Sequence, residues 1–371
     1  MSLSAAIIVN DDADGLGACL TSLRGLVDEV VVVDTGSAEA SAAVAEQHGA
    51  VVVHEPWAGD FAASRNRSLD LATGDWVLCI DPDETMDGDF EAVRSSLAVA
   101  DRCIGFELRC VPRPGWTPIH EHRLWRNRPD IRFVGRVHET VEPAIRAAAG
   151  TDRLRVERLD RVTIHRHRSI EDRPGQRARE EPLLVAELTR HPDRADVCDH
   201  LARVYEAAGD GERAIETRMA GITRVRERDR PLPDDRVLYV ELIHHLLENG
   251  VIDDQLETLV AEAREQFTPT PALELAAARL AFATGRPRDA LEPLDWLVGL
   301  DESAVVATGI SCDERVFGEW AWSLLGLCRF ELDDDAAAAD AFRRAEALAP
   351  DDPSHAVRRR LAEARSARPA S

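Results

Sequence analysis

Trp76-Val77-Leu78-Cys79-Ile80-Asp81-Pro82-Asp83-Glu84 joins five apolar residues to three acids set around a proline. A short unbroken apolar run ended by polar residues is the pattern of a strand buried on both faces. Acids clustered at the end of such a strand repel one another unless a cation lies between them. Mg²⁺ and Mn²⁺ use one or two carboxylates together with substrate phosphates, so a short Asp-x-Asp unit suits a metal–diphosphate. The competing reading is a solvated acidic turn, common in a chain this acidic.

The same pattern repeats upstream. Ala5–Val9 is a compact apolar run, Val30–Val33 an unbroken β-branched run ended by Asp34, and Ala50–His54 a third strand. Helical stretches lie between them at about Gly15–Leu26, Ser41–His48 and Phe61–Leu71, the first with Leu16, Leu20 and Leu23 on one face. Continuous strands alternating with helices predict a parallel sheet covered on both faces. Ligands bind beyond the carboxyl ends of such strands, where Asp34 and Asp81 fall.

Composition narrows the chemistry. The 371 residues include 45 basic and 68 acidic ones, a net charge of −23, and none of the basic residues is lysine. Without lysine there is no Schiff-base or P-loop lysine, which excludes Walker-type ATPases, pyridoxal enzymes and lysine-dependent kinases. The acid excess argues against a nucleic-acid partner, because phosphate backbones need clustered positive charge. No apolar stretch reaches the roughly 18 residues of a membrane span. Met1–Val9 has no basic region and runs into Asp11 and Asp12, so no signal peptide is expected. Seven scattered cysteines with no CxxC pair read as the reduced thiols of a cytoplasmic protein.

Beyond about residue 175 the pattern becomes helix after helix. Leu201, Ala202, Tyr205, Gly209 and Ala214 form one register, which Ala277, Ala278, Ala281, Gly285 and Ala290 repeat and Leu325, Gly326, Asp333 and Ala338 repeat in large part. A large residue beside a small one where helices cross, then a turn, then a closely packed alanine is similar to tetratricopeptide repeats. A divergent helix pair near 234–267 fills the gap between the first two copies. The expected architecture is an α/β domain over 1–170 followed by an all-α tetratricopeptide-like solenoid over 171–371.

The order of motifs in the first domain carries a further resemblance. Asp34-Thr35-Gly36-Ser37, Trp57-x-x-Asp60-Phe61, Ser64-Arg65-Asn66 and Thr73-Gly74-Asp75-Trp76 precede Asp81-Pro82-Asp83-Glu84. Arg123-Leu124-Trp125-Arg126-Asn127 and Gly135-Arg136-Val137-His138-Glu139 follow it. From about Ala5 to His165 the chain resembles the family-2 glycosyltransferases of the GT-A fold, in the bacterial subgroup that carries a C-terminal tetratricopeptide region. The resemblance implies a Rossmann-like mixed sheet that binds a nucleotide sugar, with a UDP-sugar as the expected donor, and a hexosyl transfer with inversion. By the same resemblance Asp34 and Arg65 contact the nucleotide, Asp81 holds ribose or a bound water, and Asp83 with His138 holds Mn²⁺ or Mg²⁺. An inverting transfer also needs a base, for which Glu139 and Glu121 are the candidates. A cysteine thiol as acceptor would need less basicity, being partly ionised near neutral pH. The repeats would present a peptide or protein acceptor or form a homodimer.

Two departures stand out. The family's Lys-Asn-Glu unit after the first strand is Asn10-Asp11-Asp12 here, which puts Asp12 where the donor nucleotide would lie, and its aromatic and glycine after the last domain histidine are Arg166 and His167. The first departure favours a rival, a non-catalytic scaffold in which a degenerate transferase domain is joined to a protein-binding solenoid. Asp34, Arg65, Asp81, Asp83 and His138 favour catalysis. His120-Glu121-His122 and His165-Arg166-His167 lack the cysteine or helical spacing of a zinc site; the first pair of histidines is read as flanking the acceptor pocket.

Overall fold

The computed structural model describes residues 1–36, 39–167 and 174–367. Two compact units divide the chain, one of Met1–Pro114 with Pro118–Arg190 and one of Gly115–Thr117 with His191–Ser371.

In the first unit, β1 (Leu3–Val9), α1 (Ala13–Ser22), β2 (Glu29–Asp34), α2 (Glu39–Gln47), β3 (Val51–His54), α3 (Phe61–Leu71) and β4 (Trp76–Cys79) alternate as the sequence predicts. They are followed by β5 (Glu84–Gly88), α4 (Phe90–Ala98), β6 (Cys103–Val111), β7 (Ile119–Arg126), α5 (Glu142–Asp152), β8 (Arg155–Arg166) and α6 (Pro174–Arg190). The strands form one sheet in the order β3-β2-β1-β4-β7-β6-β8-β5. Its first four strands are parallel. The rest is mixed: β7 runs antiparallel to both β4 and β6, β8 parallel to β6, and β5 antiparallel to β8.

Alternate residues of the central strands enter opposite cores. Trp76, Leu78 and Ile80 join Ile7, Leu16 and Leu20 on one face. Val77 and Cys79 join Ala6, Val31, Leu69 and Ile145 on the other. Each such large apolar side chain contributes roughly 1.5–3 kcal/mol. By the same alternation Asp81 emerges on the side of Cys79, facing α3. Asp60 caps α3 through the Ala63 N–H (2.9 Å), which fixes the start of the helix that carries Arg65.

The second unit runs through α7 (Ala195–Ala207), α8 (Gly211–Arg226), α9 (Arg236–Glu248), α10 (Asp254–Gln266), α11 (Pro271–Ala283), α12 (Leu291–Leu297), α13 (Glu302–Val306), α14 (Glu319–Glu331), α15 (Asp335–Leu348) and α16 (Pro353–Ser366). The sequence register holds. Gly209, Gly285 and Asp333 end α7, α11 and α14 with φ of 80°, 73° and 60°, the left-handed turn that stops a helix. Ala214, Ala290 and Ala338, each five residues after its turn residue, are fully buried. α9 and α10 fill the 234–267 gap. A Cβ on Gly326 would lie 2.6 Å from the Phe342 ring, so α14 and α15 cross where only glycine fits. Gly115–Thr117 belong to this unit: Trp116 bridges Asp313 through the backbone and Thr117 N–H donates to the Cys312 carbonyl (2.9 Å).

Arg218 lies wholly inside this unit. Its Nε donates to Asp199 (2.9 Å), and Nη1 and Nη2 both reach Glu206. Arg203 adds a second cation on Asp199 (2.8 Å), and His245 Nδ1 lies 2.7 Å from Glu206.

All seven cysteines are free and buried, as expected of reduced thiols. Among the described residues no helix is long and apolar enough to cross a membrane.

Candidate active site

A cavity of about 650 Å³ opens in the first unit where β1, β2 and β4 end, with Val9, Asn10, Thr35, Asp81 and Asp83 on its wall. The Asp81–Glu84 turn is closed twice: Glu84 N–H donates to the Asp81 carbonyl (3.1 Å) and Asp81 N–H to Glu84 Oε2 (2.9 Å). The acidic motif is therefore a rigid turn with one carboxylate, Glu84, turned inward and 2% exposed.

Three arginines converge on it. Arg65 on α3 gives Nε to Glu139 (2.5 Å), Nη1 to Cys79 Sγ (3.3 Å) and Nη2 to Asp81 (2.7 Å). Arg123 on β7 holds Glu84 with Nη1 (3.2 Å) and Nη2 (2.9 Å) while its Nε bonds Glu121 (2.8 Å). Arg166, cross-strand from Glu84, reaches Asp81 (2.9 Å) and Glu84 (2.8 Å) with Nη2. Burial alone would push the Asp81 carboxyl up, but Arg65, Arg166 and Arg123 outweigh it and hold it well below the carboxylate range. Burial pushes Glu84 up against the pull of Arg123. Burial likewise opposes ionisation of Glu121, and Arg123 and Arg166 reverse this, leaving it low. The Cys79 thiol is raised by burial and stays protonated.

The loop that carries His138 and Glu139 is clipped by paired backbone bonds between Val134 and Thr140 (3.0 Å each) and tied to α3 by Phe61 N–H on the Arg136 carbonyl (2.9 Å). His138 adopts φ 51°, a left-handed conformation that costs a non-glycine residue about 1–2 kcal/mol and clusters at functional sites.

The cavity brings together Arg65, Asp81, Asp83, Glu121, His138 and Glu139. It does not include Asp34 or Asp12. Asp34 lies one residue behind the wall-lining Thr35, accepts from Gly36 N–H (3.1 Å) and meets His54 Nδ1 (3.1 Å). Asp12 caps α1 through the Gly15 N–H (3.1 Å). Ser37 lies outside the described residues. His120 Nε2 pairs with Asp160 (2.6 Å), His167 Nε2 with the Thr85 hydroxyl (2.6 Å), and His165 Nε2 lies 3.3 Å from Asp87.

Sequence reasoning missed the roles of Arg123 and Arg166. Arg123 lies in the Arg123–Asn127 motif, whose local sequence assigns it no role, and Arg166 departs from the family's pattern. The usable signal was Glu84: a carboxylate just after a buried strand needs a cation, and a lysine-free chain can supply only arginine.

Seven carboxylates and three arginines line the cavity, a formal charge of −4 with its histidines neutral. An anionic ligand enters such a space only with a compensating cation. Both Asp81 oxygens are occupied by arginines; Asp83 and His138 line the same cavity, and a carboxylate with an imidazole is a donor set of the kind that binds a divalent ion. Asp83 and His138 are two donors; the cluster of three possible ligands among the described residues lies elsewhere, at Glu319, Asp352 and His355. Its carboxylates stand at the N-termini of α14 and α16, where the helix dipole opposes a cation, and His355 Nε2 is already on Glu319 (2.8 Å).

Residues 4–100 match the family described as Glycosyl transferase family 2. A TPR repeat-containing protein of Synechococcus elongatus is 33% identical over 273 residues, covering 71% of this chain and 66% of that one. A glycosyltransferase of Rickettsia felis is 36% identical over 154 residues, 38% of this chain and 54% of its own. The chain thus spans between half and two thirds of the length of these relatives. Among solved structures, glucosyl-3-phosphoglycerate synthase from Mycobacterium tuberculosis, in complex with Mn²⁺, uridine diphosphate and glucosyl-3-phosphoglycerate, aligns at a TM-score of 0.35 and 18% identity over 51% of this chain and 79% of that one. The first unit thus carries a Glycosyl transferase family 2 domain on a mixed eight-stranded sheet, and a tetratricopeptide-like helical region follows it.

Proposed function

We propose that the first unit is an inverting, divalent-metal-dependent hexosyltransferase of the cytoplasm, moving a sugar from a nucleoside-diphosphate sugar, a UDP-sugar first among them, to an acceptor. The observation that carries this reading is the −4 cavity beyond β1, β2 and β4, with Asp83 and His138 on its wall beside three arginines. Asp83 and His138 would hold Mn²⁺ or Mg²⁺, which when bound would neutralise charge on the diphosphate. Thr35, with Asp34 behind it, and Asn10, with Asp12 nearby, would flank the nucleoside. Arg65 serves by fixing Asp81 and Glu139. Deprotonation of the acceptor falls to Glu121 or Glu139, and the greater exposure of Glu121 (38% against 12%) favours the former. The helical unit would present a peptide or protein acceptor, or pair two copies of the chain.

The test is a screen of nucleotide sugars for thermal stabilisation and donor hydrolysis with Mn²⁺ or Mg²⁺, with Asp83→Ala as control. Stabilisation and hydrolysis by the wild type, both lost in D83A, support the reading. No binding of any donor leaves the non-catalytic scaffold. Binding that survives in D83A moves the metal elsewhere.

A further inference from the structure

The three arginines at the acidic turn are not equivalent. Arg65 commits Nε, Nη1 and Nη2 to Glu139, Cys79 and Asp81. Arg123 commits all three nitrogens to Glu121 and Glu84. Each has 12% of its side chain exposed. Arg166 commits Nη2 alone, has 30% exposed, and its Nε is buried with no hydrogen-bond partner. Among the described residues that line the cavity, then, Arg166 is the guanidinium that keeps whole nitrogens, Nε and Nη1, outside the protein's hydrogen bonds. Its buried Nε is out of reach, but Nη1 of this cavity-lining side chain is left for a ligand, and a guanidinium N–H suits a charge-assisted bond to a phosphate oxygen.

We propose that Arg166 binds the diphosphate of the donor through Nη1 and faces the charge that grows on it as the sugar leaves, with Asp81 and Glu84 anchoring its Nη2. This rests on the transferase reading above. In the transfer, the bond between the anomeric carbon and the β-phosphate oxygen breaks and its electron pair stays on that oxygen. The acceptor atom bonds to the carbon and gives its proton to the base. The diphosphate therefore leaves with one more negative charge, and in a chain with no lysine the Nη1 side of Arg166 is the protein's own cation for it. The position that first read as a departure becomes a diphosphate contact.

The test compares a nucleoside diphosphate with its nucleoside. Calorimetry with Mn²⁺ would measure UDP, GDP, ADP and dTDP and the matching nucleosides on the full chain, wild type, R166Q and R166K. The expected result is a 10-fold or greater loss of diphosphate affinity in R166Q, nucleoside affinity unchanged within twofold, partial recovery in R166K, and an unchanged urea midpoint. Equal loss for diphosphate and nucleoside, or a lowered urea midpoint that accounts for the loss, makes Arg166 a merely structural partner of Glu84 and overturns the assignment. Unchanged diphosphate affinity in R166Q also overturns it while leaving the transferase reading intact. A wild type that binds none of the four diphosphates overturns the transferase reading, and the assignment with it.

Discussion

The two units each contain a buried arginine among carboxylates, and the two clusters are finished to different degrees. Arg218 in the helical unit is fully buried, with Nε, Nη1 and Nη2 all paired with Asp199 and Glu206. In the sheet unit Arg65 and Arg123 are closed in the same way, but Arg166 keeps unpaired donors on a cavity wall. A closed network holds a fold together, because every charge has its partner and removing one strands another. A network with one open edge has capacity left for something that is not protein. Satisfaction of donors therefore separates a structural ion cluster from a binding one more sharply than charge count does.

Four outcomes put this contrast to the test. The largest is expected from Arg218→Ala, which strands Asp199 and Glu206 in the helical core; urea unfolding should lose about 3–5 kcal/mol. Next comes Gly326→Ala, whose methyl would meet the Phe342 ring at 2.6 Å; a loss of about 1–3 kcal/mol is expected in the same assay. The third concerns acid. Burial pushes Glu206 up, and the hydrogen bonds and charge of Arg218 reverse this and leave it below its ordinary value. A depressed carboxylate contributes stability that is present above its unfolded value of about 4.3 and is lost as pH falls through its folded value. Helical ellipticity should therefore decline below about pH 4 in the wild type, and R218A should remove that part of the acid dependence. The smallest effect on stability is expected from R166Q. Asp81 keeps Arg65 and Glu84 keeps Arg123, so unfolding should change by less than about 1 kcal/mol. A loss as large as that of R218A would erase the distinction between the two clusters.

Much of the fold was legible in the residues. The apolar runs at Ala5–Val9, Val30–Val33 and Trp76–Ile80 have no polar alternation, so they had to be covered on both faces, and α3 falls at Phe61–Leu71 as read. Gly209, Gly285 and Asp333 marked helix ends because their backbone must turn left-handed. The antiparallel half of the sheet was not legible in periodicity, because the strand Ile119–Arg126 is mostly polar and is placed by backbone pairing with β4 and β6, with only Leu124 and Trp125 buried. The site was legible in part. A local motif displayed Asp81, Asp83, His138 and Glu139, whereas Arg166 meets Asp81 only through a pairing of β5 with β8 that brings together residues 85 positions apart. Asp34 and Asp12 were found by position at strand ends, but their carboxylates bond within the protein, to His54 and Gly36 and to the start of α1.

The absence of lysine has a use at the bench. With all seven cysteines buried and no lysine side chain anywhere, the chain offers amine and thiol reagents almost nothing beyond its N-terminus. The lysine side chain of R166K would be the sole ε-ammonium in the molecule. Its nitrogen resonance would need no assignment, and its response to a nucleoside diphosphate could be followed as a single line. The composition that makes arginine the sole strong cation of the cavity also turns that one position into a built-in reporter.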